Sequence, residues 1–226
     1  LFSFSMSLSD KIDILPILNK SELSEKDYKE LFYQTGLGKT AVDEIMKDKD
    51  SGKNTMLNFQ EDFFRNNNVL CESIGIITSQ ESLVNEGNKP IYGFNLAPYK
   101  NGYVLITKAT HSLGWRHGHA AIVTDAENKE TLEAVILGSN TVFQNINKWR
   151  NYPSFMMLKL KDTSQETLDE IAKFAKENLN DIPYGLTVGL TNKKNPSPEK
   201  ISSTQCSHLV WYPFMQSGYD VDSDGS

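Results

Sequence analysis

The 226 residues carry 29 acidic against 23 basic side chains, a formal charge of −6, with the lysines and arginines spread thinly along the chain. That length buries a full core in one domain with an appendage, and no basic face is offered to a phosphate backbone, which argues against a nucleic-acid partner. No run approaches the ~20 apolar residues of a membrane span, and the two cysteines, Cys71 and Cys206, form neither a CxxC nor a disulfide framework.

In chain order, the opening LFSFSMSLSD is too short and too polar for a complete signal sequence. A first residue of Leu1 rather than Met sets the expectation of a missing native start and a removed export signal, and with them an extracytoplasmic or cell-envelope location. The first ~90 residues read as broken helix. Ser24 and Asp27 in LSEKDYKELFYQTG resemble a capping box, Tyr28, Leu31 and Phe32 follow at helical spacing, and Gly36 marks the stop. A second helix carries Val42, Ile45 and Met46, and a third Phe59, Phe63 and Phe64. TGLGKT lacks the first glycine of a phosphate loop, because Tyr33 stands in that position, and reads as a helix–helix turn. Residues 1–94 are therefore expected to form a helical cap, and 95–226 the main domain. Cys71, in NNNVLCESIGI, is expected to be buried packing material that reacts slowly.

From about residue 100 the pattern changes to period two. GYVLITKA, GHAAIVTD, ETLEAVIL and SFMMLKLK read as strands. SQETLDEIAKFAKENLN then reads as an amphipathic helix capped by Ser164, with Leu168, Ile171, Ala172, Ala175 and Leu179 on one face. A long loop rich in Gly, Pro, Asn and Ser follows, and the last element is a helix from about Cys206, with Pro213 predicting a kink or an early end.

Cys206 at a first helical turn meets backbone N–H groups and a helix dipole that favour a thiolate and an oxyanion. Of the four histidines, His119 opens the small-residue strand GHAAIVTD, whereas His208 lies two helical residues from Cys206 and points about 200° away. The base needs an orienting partner. A hairpin with loop 124–128 puts Glu133 directly opposite His119; a two-residue turn at Asn128 and Lys129 puts Glu133 opposite Thr124 instead. In the first case Glu133→Gln is expected to lower turnover with little change in thermal stability.

The GHAAIV strand, a strand ending in LEA, an amphipathic helix, a Tyr-Gly loop and finally CSHLVW resemble the circularly permuted branch of the NlpC-type papain-like hydrolases, the YiiX- and YycO-like proteins. The resemblance covers roughly residues 95–222 and leaves the helical first third outside. It implies an α+β fold of permuted papain-like type, an antiparallel sheet on helices, with Cys206 as nucleophile, His119 as general base and Glu133 as orienting residue. It further implies a cofactor-free thiol hydrolase cleaving a cell-wall peptide or related amide through an acyl-enzyme. The family's Cys-Ser-Glu-Leu is here Cys206-Ser207-His208-Leu209, and its Gly-Asp before the first strand is Gly102-Tyr103. Trp115 and Tyr184 are placed as pocket walls.

Three alternatives stand beside this reading. One is a lipid- or ester-directed thiol acyltransferase or esterase resembling lecithin retinol acyltransferase. Another is a zinc site drawn from His117, His119, Cys206 and His208. The third is a binding module without catalysis. Asp220, Asp222 and Asp224, with Gly225, match the first half of a calcium loop in a tail that also reads as a solvated acidic end.

Overall fold

The computed structural model describes residues 10–186, 188 and 201–222, which form an α+β arrangement of antiparallel sheets and helices. They divide into two compact units. One comprises residues 10–66 with Gly93–Pro98, the other Asn67–Tyr92 with the residues from Tyr99 onward.

The first unit holds α1 (Leu15–Leu18), α2 (Glu25–Thr35), α3 (Lys39–Met46) and α4 (Gly52–Phe64). Ser24 and Asp27 form the expected capping box, the Asp27 N–H donating to Ser24 Oγ at 3.3 Å and the Ser24 N–H to Asp27 Oδ2 at 2.9 Å. Gly36 ends α2 in the left-handed region with φ 73°, so TGLGKT is the helix–helix turn its composition indicated. Ile14, Leu18, Leu31, Val42 and Met56 fill the core between these helices.

The second unit begins earlier than residue 95. β1 (Asn68–Ser73) and β2 (Thr78–Val84) form a hairpin within the stretch expected to be helical, so the cap does not run unbroken to 94. β1 is exposed along nearly its whole length, and an edge strand without a buried face carries no apolar alternation to read. Cys71 lies on that strand and is exposed, which overturns its assignment as buried packing. β4 (Thr110–Ser112) and β5 (Trp115–Arg116) complete a four-stranded antiparallel sheet in the order β1-β2-β4-β5.

The other sheet holds β3 (Val104–Thr107), β6 (His119–Asp125), β7 (Glu130–Glu133), β8 (Val142–Asn145) and β9 (Met156–Leu158), in the order β8-β7-β6-β3-β9. β6 is central and buried on both faces. Its Ala120 and Ile122, with Leu132 and Ala134, pack on Leu168, Ile171 and Ala175 of α5 (Gln165–Asn178) and on Leu209 and Phe214 of α6 (Cys206–Gln216). Its opposite face, carrying His119, Ala121 and Val123, is shared with Thr131 and Glu133 of β7 through the pairs Ala121↔Glu133 and Val123↔Thr131. Ser164 caps α5 by accepting from the Thr167 N–H at 3.2 Å. α6 continues three residues past Pro213. The ring removes one N–H, from position 213, while residues 208–214 are all buried and hold the helix to the core.

Candidate active site

His119 is the first residue of β6 and Cys206 the first of α6, so the packing of α6 on that strand brings imidazole and thiol together at the strand's end. The approach depends on Gly118. At φ 82° it turns the chain into β6, and a Cβ there would lie 2.5 Å from the Thr107 carbonyl oxygen. Nε2 of His119 meets Glu133 Oε2 at 2.7 Å, which leaves Nδ1 as the ring nitrogen available to the Cys206 thiol, whose charge acts on the imidazole.

The register that makes this contact is not the one expected. Glu133 pairs with Ala121 rather than His119, because Thr124 is the extra residue of a β-bulge between the pairs Val123↔Thr131 and Asp125↔Glu130. The connecting loop is neither of the two considered. It covers residues 126–129, closed by Asp125, which accepts from the Asn128 N–H at 3.1 Å and from its side-chain amide at 2.9 Å. A shift of two positions keeps Glu133 on the face of His119, and a diagonal neighbour remains within reach of two long side chains.

Glu133 is fully buried and accepts from four donors. His119 Nε2 and Lys148 Nζ, at 2.7 and 2.6 Å, share Oε2. Thr131 Oγ1 and Trp149 Nε1, at 2.7 and 3.1 Å, share Oε1. Lys148 and Trp149 come from a 3₁₀ helix (Ile146–Asn151) whose Asn145 cap accepts from the Asn147 N–H. The indole is stacked on the His119 ring at 5.6 Å and 12°, and Tyr152 packs edge-on against it at 5.1 Å. Three partners of the carboxylate, Thr131, Lys148 and Trp149, were missed at the level of sequence. The available signal was a large aromatic inside the polar run NINKWRN.

Electrostatics follow from this cage. Burial alone would push the Glu133 carboxyl up; the His119 hydrogen bond and the Lys148 charge outweigh it and hold the pKa down to about 2. Burial disfavours the imidazolium, yet hydrogen bonds to Cys206 and Glu133 and their negative charges raise His119 to about 9. Burial likewise opposes the thiolate, and the His119 hydrogen bond, its charge and the Ala120 and Ser207 backbone N–H groups bring the Cys206 pKa below its ordinary value. A buried thiolate–imidazolium pair resting on a carboxylate is the arrangement that nucleophilic thiol chemistry requires.

Among the expected pocket residues, Tyr184 lies close to the thiol. Burial and then the Cys206 charge push its phenol up to about 12, and its backbone bridges Thr204 just before α6. Trp115 is 81 % exposed on β5 of the other sheet and walls no closed pocket. Gln205, the α6 cap, accepts from the Ser207 N–H at 3.1 Å, and its Oε1 lies 3.5 Å from the sulfur.

The zinc constellation does not assemble. His117 lies outside β6 with Nε2 2.8 Å from Ser112 Oγ, and His208 turns its Nδ1 to Thr204 Oγ1 at 2.9 Å, with its ring packed against those of Trp211 and Tyr212. Among the described residues no three His, Cys, Asp or Glu side chains are gathered as metal ligands. His111 belongs to a separate cluster with Glu81 and Arg116. Of the calcium-loop residues, Asp220 Oδ1 accepts from the Trp211 indole at 2.9 Å and from the Asp222 N–H at 3.0 Å, while Asp224 lies outside the described residues. No helix among the described residues is long and apolar enough to cross a membrane. Comparison with protein-family models, with curated proteins and with solved structures gave no match.

Proposed function

We propose that this protein is a cysteine hydrolase that cleaves an amide bond, in a cell-wall peptide or a related substrate, through an acyl-enzyme on a circularly permuted papain-like fold. The observation that carries the reading is the buried Cys206 thiol at the start of α6, electrostatically coupled to a His119 ring that Glu133 holds from behind. The chain order, histidine strand, carboxylate strand, then cysteine helix, supports the permuted arrangement.

In acylation the Cys206 thiolate attacks the carbonyl carbon, a C–S bond forms and the carbonyl electron pair moves onto oxygen. The helix N-terminus, with the Cys206 N–H in its first turn, supplies donors for that oxyanion. Collapse of the intermediate breaks the C–N bond as His119 Nδ1 gives its proton to the departing amine. Glu133 fixes the tautomer by accepting a hydrogen bond from the Nε2–H and stabilises the imidazolium. In deacylation His119 takes a proton from water, hydroxide adds to the thioester carbon, and the C–S bond breaks to return the thiolate and release a carboxylic acid.

The test is a screen of peptides, peptidoglycan fragments and lipid esters with wild type and Cys206→Ala, alongside an activity-based thiol probe. Turnover of an amide substrate and labelling at Cys206, both lost in Cys206→Ala, is the expected result. Turnover of lipid esters alone would replace the substrate class, and a thiol that the probe does not label would indicate a binding module.

A further inference from the structure

Resting on that hydrolase reading, we infer that Lys148 is a positioning residue for deacylation: its ammonium, seated on the same carboxylate oxygen as the imidazole, counterbalances Glu133, so that His119, having given its proton to the departing amine, stays neutral in the acyl-enzyme. Oε2 of Glu133 receives Lys148 Nζ at 2.6 Å and His119 Nε2 at 2.7 Å. The two cations therefore stand within about 5 Å of each other, a range at which like charges act strongly on protonation.

The charges explain the arrangement. In the resting enzyme the thiolate, imidazolium, carboxylate and ammonium sum to zero. Acylation converts the thiolate into a neutral thioester and sends the imidazolium proton out with the departing amine, so that carboxylate and ammonium balance each other where the side chains of His119 and Glu133 are 5 % and 0 % exposed. Reprotonation of the ring would leave a net positive charge there, so His119 stays the neutral base that deacylation needs. Without Lys148 an imidazolium and the carboxylate would balance each other, and the ring of the acyl-enzyme would take up a proton again. Lys148 thus lets one histidine be protonated for the first half-reaction and neutral for the second.

The other groups around the ring leave this balance intact. Cys206 is the charge that acylation removes. Tyr152, against Trp149, and Tyr184, beside the thiol, are phenols whose pKa values burial and neighbouring negative charge raise, so both are neutral in the working range. Arg150 lies against the Tyr92 ring, His117 is bonded to Ser112 and His208 to Thr204. From β3, the residue paired with His119 is Thr107, which is uncharged.

Cys206→Ala removes the thiolate charge as acylation does, so the test is an NMR titration of the four histidine rings in that background, each assigned by single substitution. His119 should titrate about one to two pH units higher when Lys148→Met or Lys148→Gln is added. With Lys148→Arg, which keeps the charge, it should stay at its Cys206→Ala value, and His111, His117 and His208 should not move. Lys148 is partly exposed, and Gln keeps a donor for Glu133, so the Gln variant carries the test if Met does not fold. No rise with Gln, or an equal rise with Arg, overturns the inference. In the Cys206-containing enzyme, Lys148→Gln should move the acid limb of deacylation upward by the same amount, and Arg should restore it. Because the ring titration requires no turnover, failure of the hydrolase reading would appear as inactivity with the titration shift intact.

Discussion

Glu133→Gln tests the heart of the site, because it keeps the volume and removes the charge from a fully buried carboxylate. An opposite charge in contact moves a pKa by about 1–3 units, and a 2.7 Å bond in a dry site belongs in the upper part of that range. The His119–Cys206 ion pair should lose about two to three powers of ten in population, and kcat/KM should fall roughly 10²- to 10³-fold. The structure also revises the expectation that stability would hardly change. Four donors converge on the carboxylate, and a Gln amide turns its N–H₂ toward one pair of them while leaving the Lys148 charge uncompensated. Breaking a buried charge network costs about 3–5 kcal/mol, and the partial exposure of Lys148 lowers that to about 2–4 kcal/mol. At 2–4 °C per kcal/mol, Tm should drop by roughly 5–15 °C. Calorimetry on wild type and variant, with kcat/KM measured at a temperature where both are folded, checks both figures. A variant within threefold of wild-type activity, or one with unchanged Tm, would refute the reasoning.

Cys206 should alkylate as a thiolate well below the ordinary thiol range, a dependence lost in His119→Ala, while Cys71, exposed on β1, should be readily accessible to the reagent; mass spectrometry of the two cysteine peptides across pH reads both. His119→Ala should abolish most turnover and His117→Ala should stay within about tenfold; His208→Ala should also stay within about tenfold but lower Tm, because it empties a buried ring site against Trp211 and Tyr212. Stability should peak between about pH 4.5 and 6.5. The His119 contribution is complete below its ordinary 6.5 and is lost as pH rises through about 9, whereas that of Glu133 is present above its ordinary 4.5 and is lost as pH falls through about 2. Urea midpoints that do not decline from pH 6 to pH 9.5 would contradict this assignment of charge.

Local signals carried much of the architecture. The Ser24 and Ser164 caps, the Gly36 stop and the apolar stripe of α5 are set by neighbours within four residues in sequence, and each was legible there. The strand GHAAIVTD and the helix at Cys206 were legible for the same reason. Even the contact between His119 and Glu133 survived a wrong register. The side-chain period along a strand is two, so a slip of two positions leaves a residue on its face and changes only whether a partner stands opposite or diagonal.

What only the tertiary structure decided lies where distant segments compete. The bulge at Thr124 fixes the β6–β7 register, and no local pattern marks it. Cys71 and its hairpin form an edge strand whose exposure erases the alternation that would have distinguished strand from helix. Lys148 and Trp149 sit in a polar run whose own periodicity says nothing of a buried carboxylate. They reach Glu133 because the 3₁₀ helix after β8 folds back over that face of β6 and β7, and the two side chains satisfy a charge that could not be buried alone. Outside the β1–β2 hairpin, the sequence by itself thus determined the main helices and strands and which face their side chains occupy, since both are governed by short-range periodicity. The partners that set the protonation of the thiol site come from segments brought together by packing, and their influence depends on separations of a few ångströms that exist only once the core has closed.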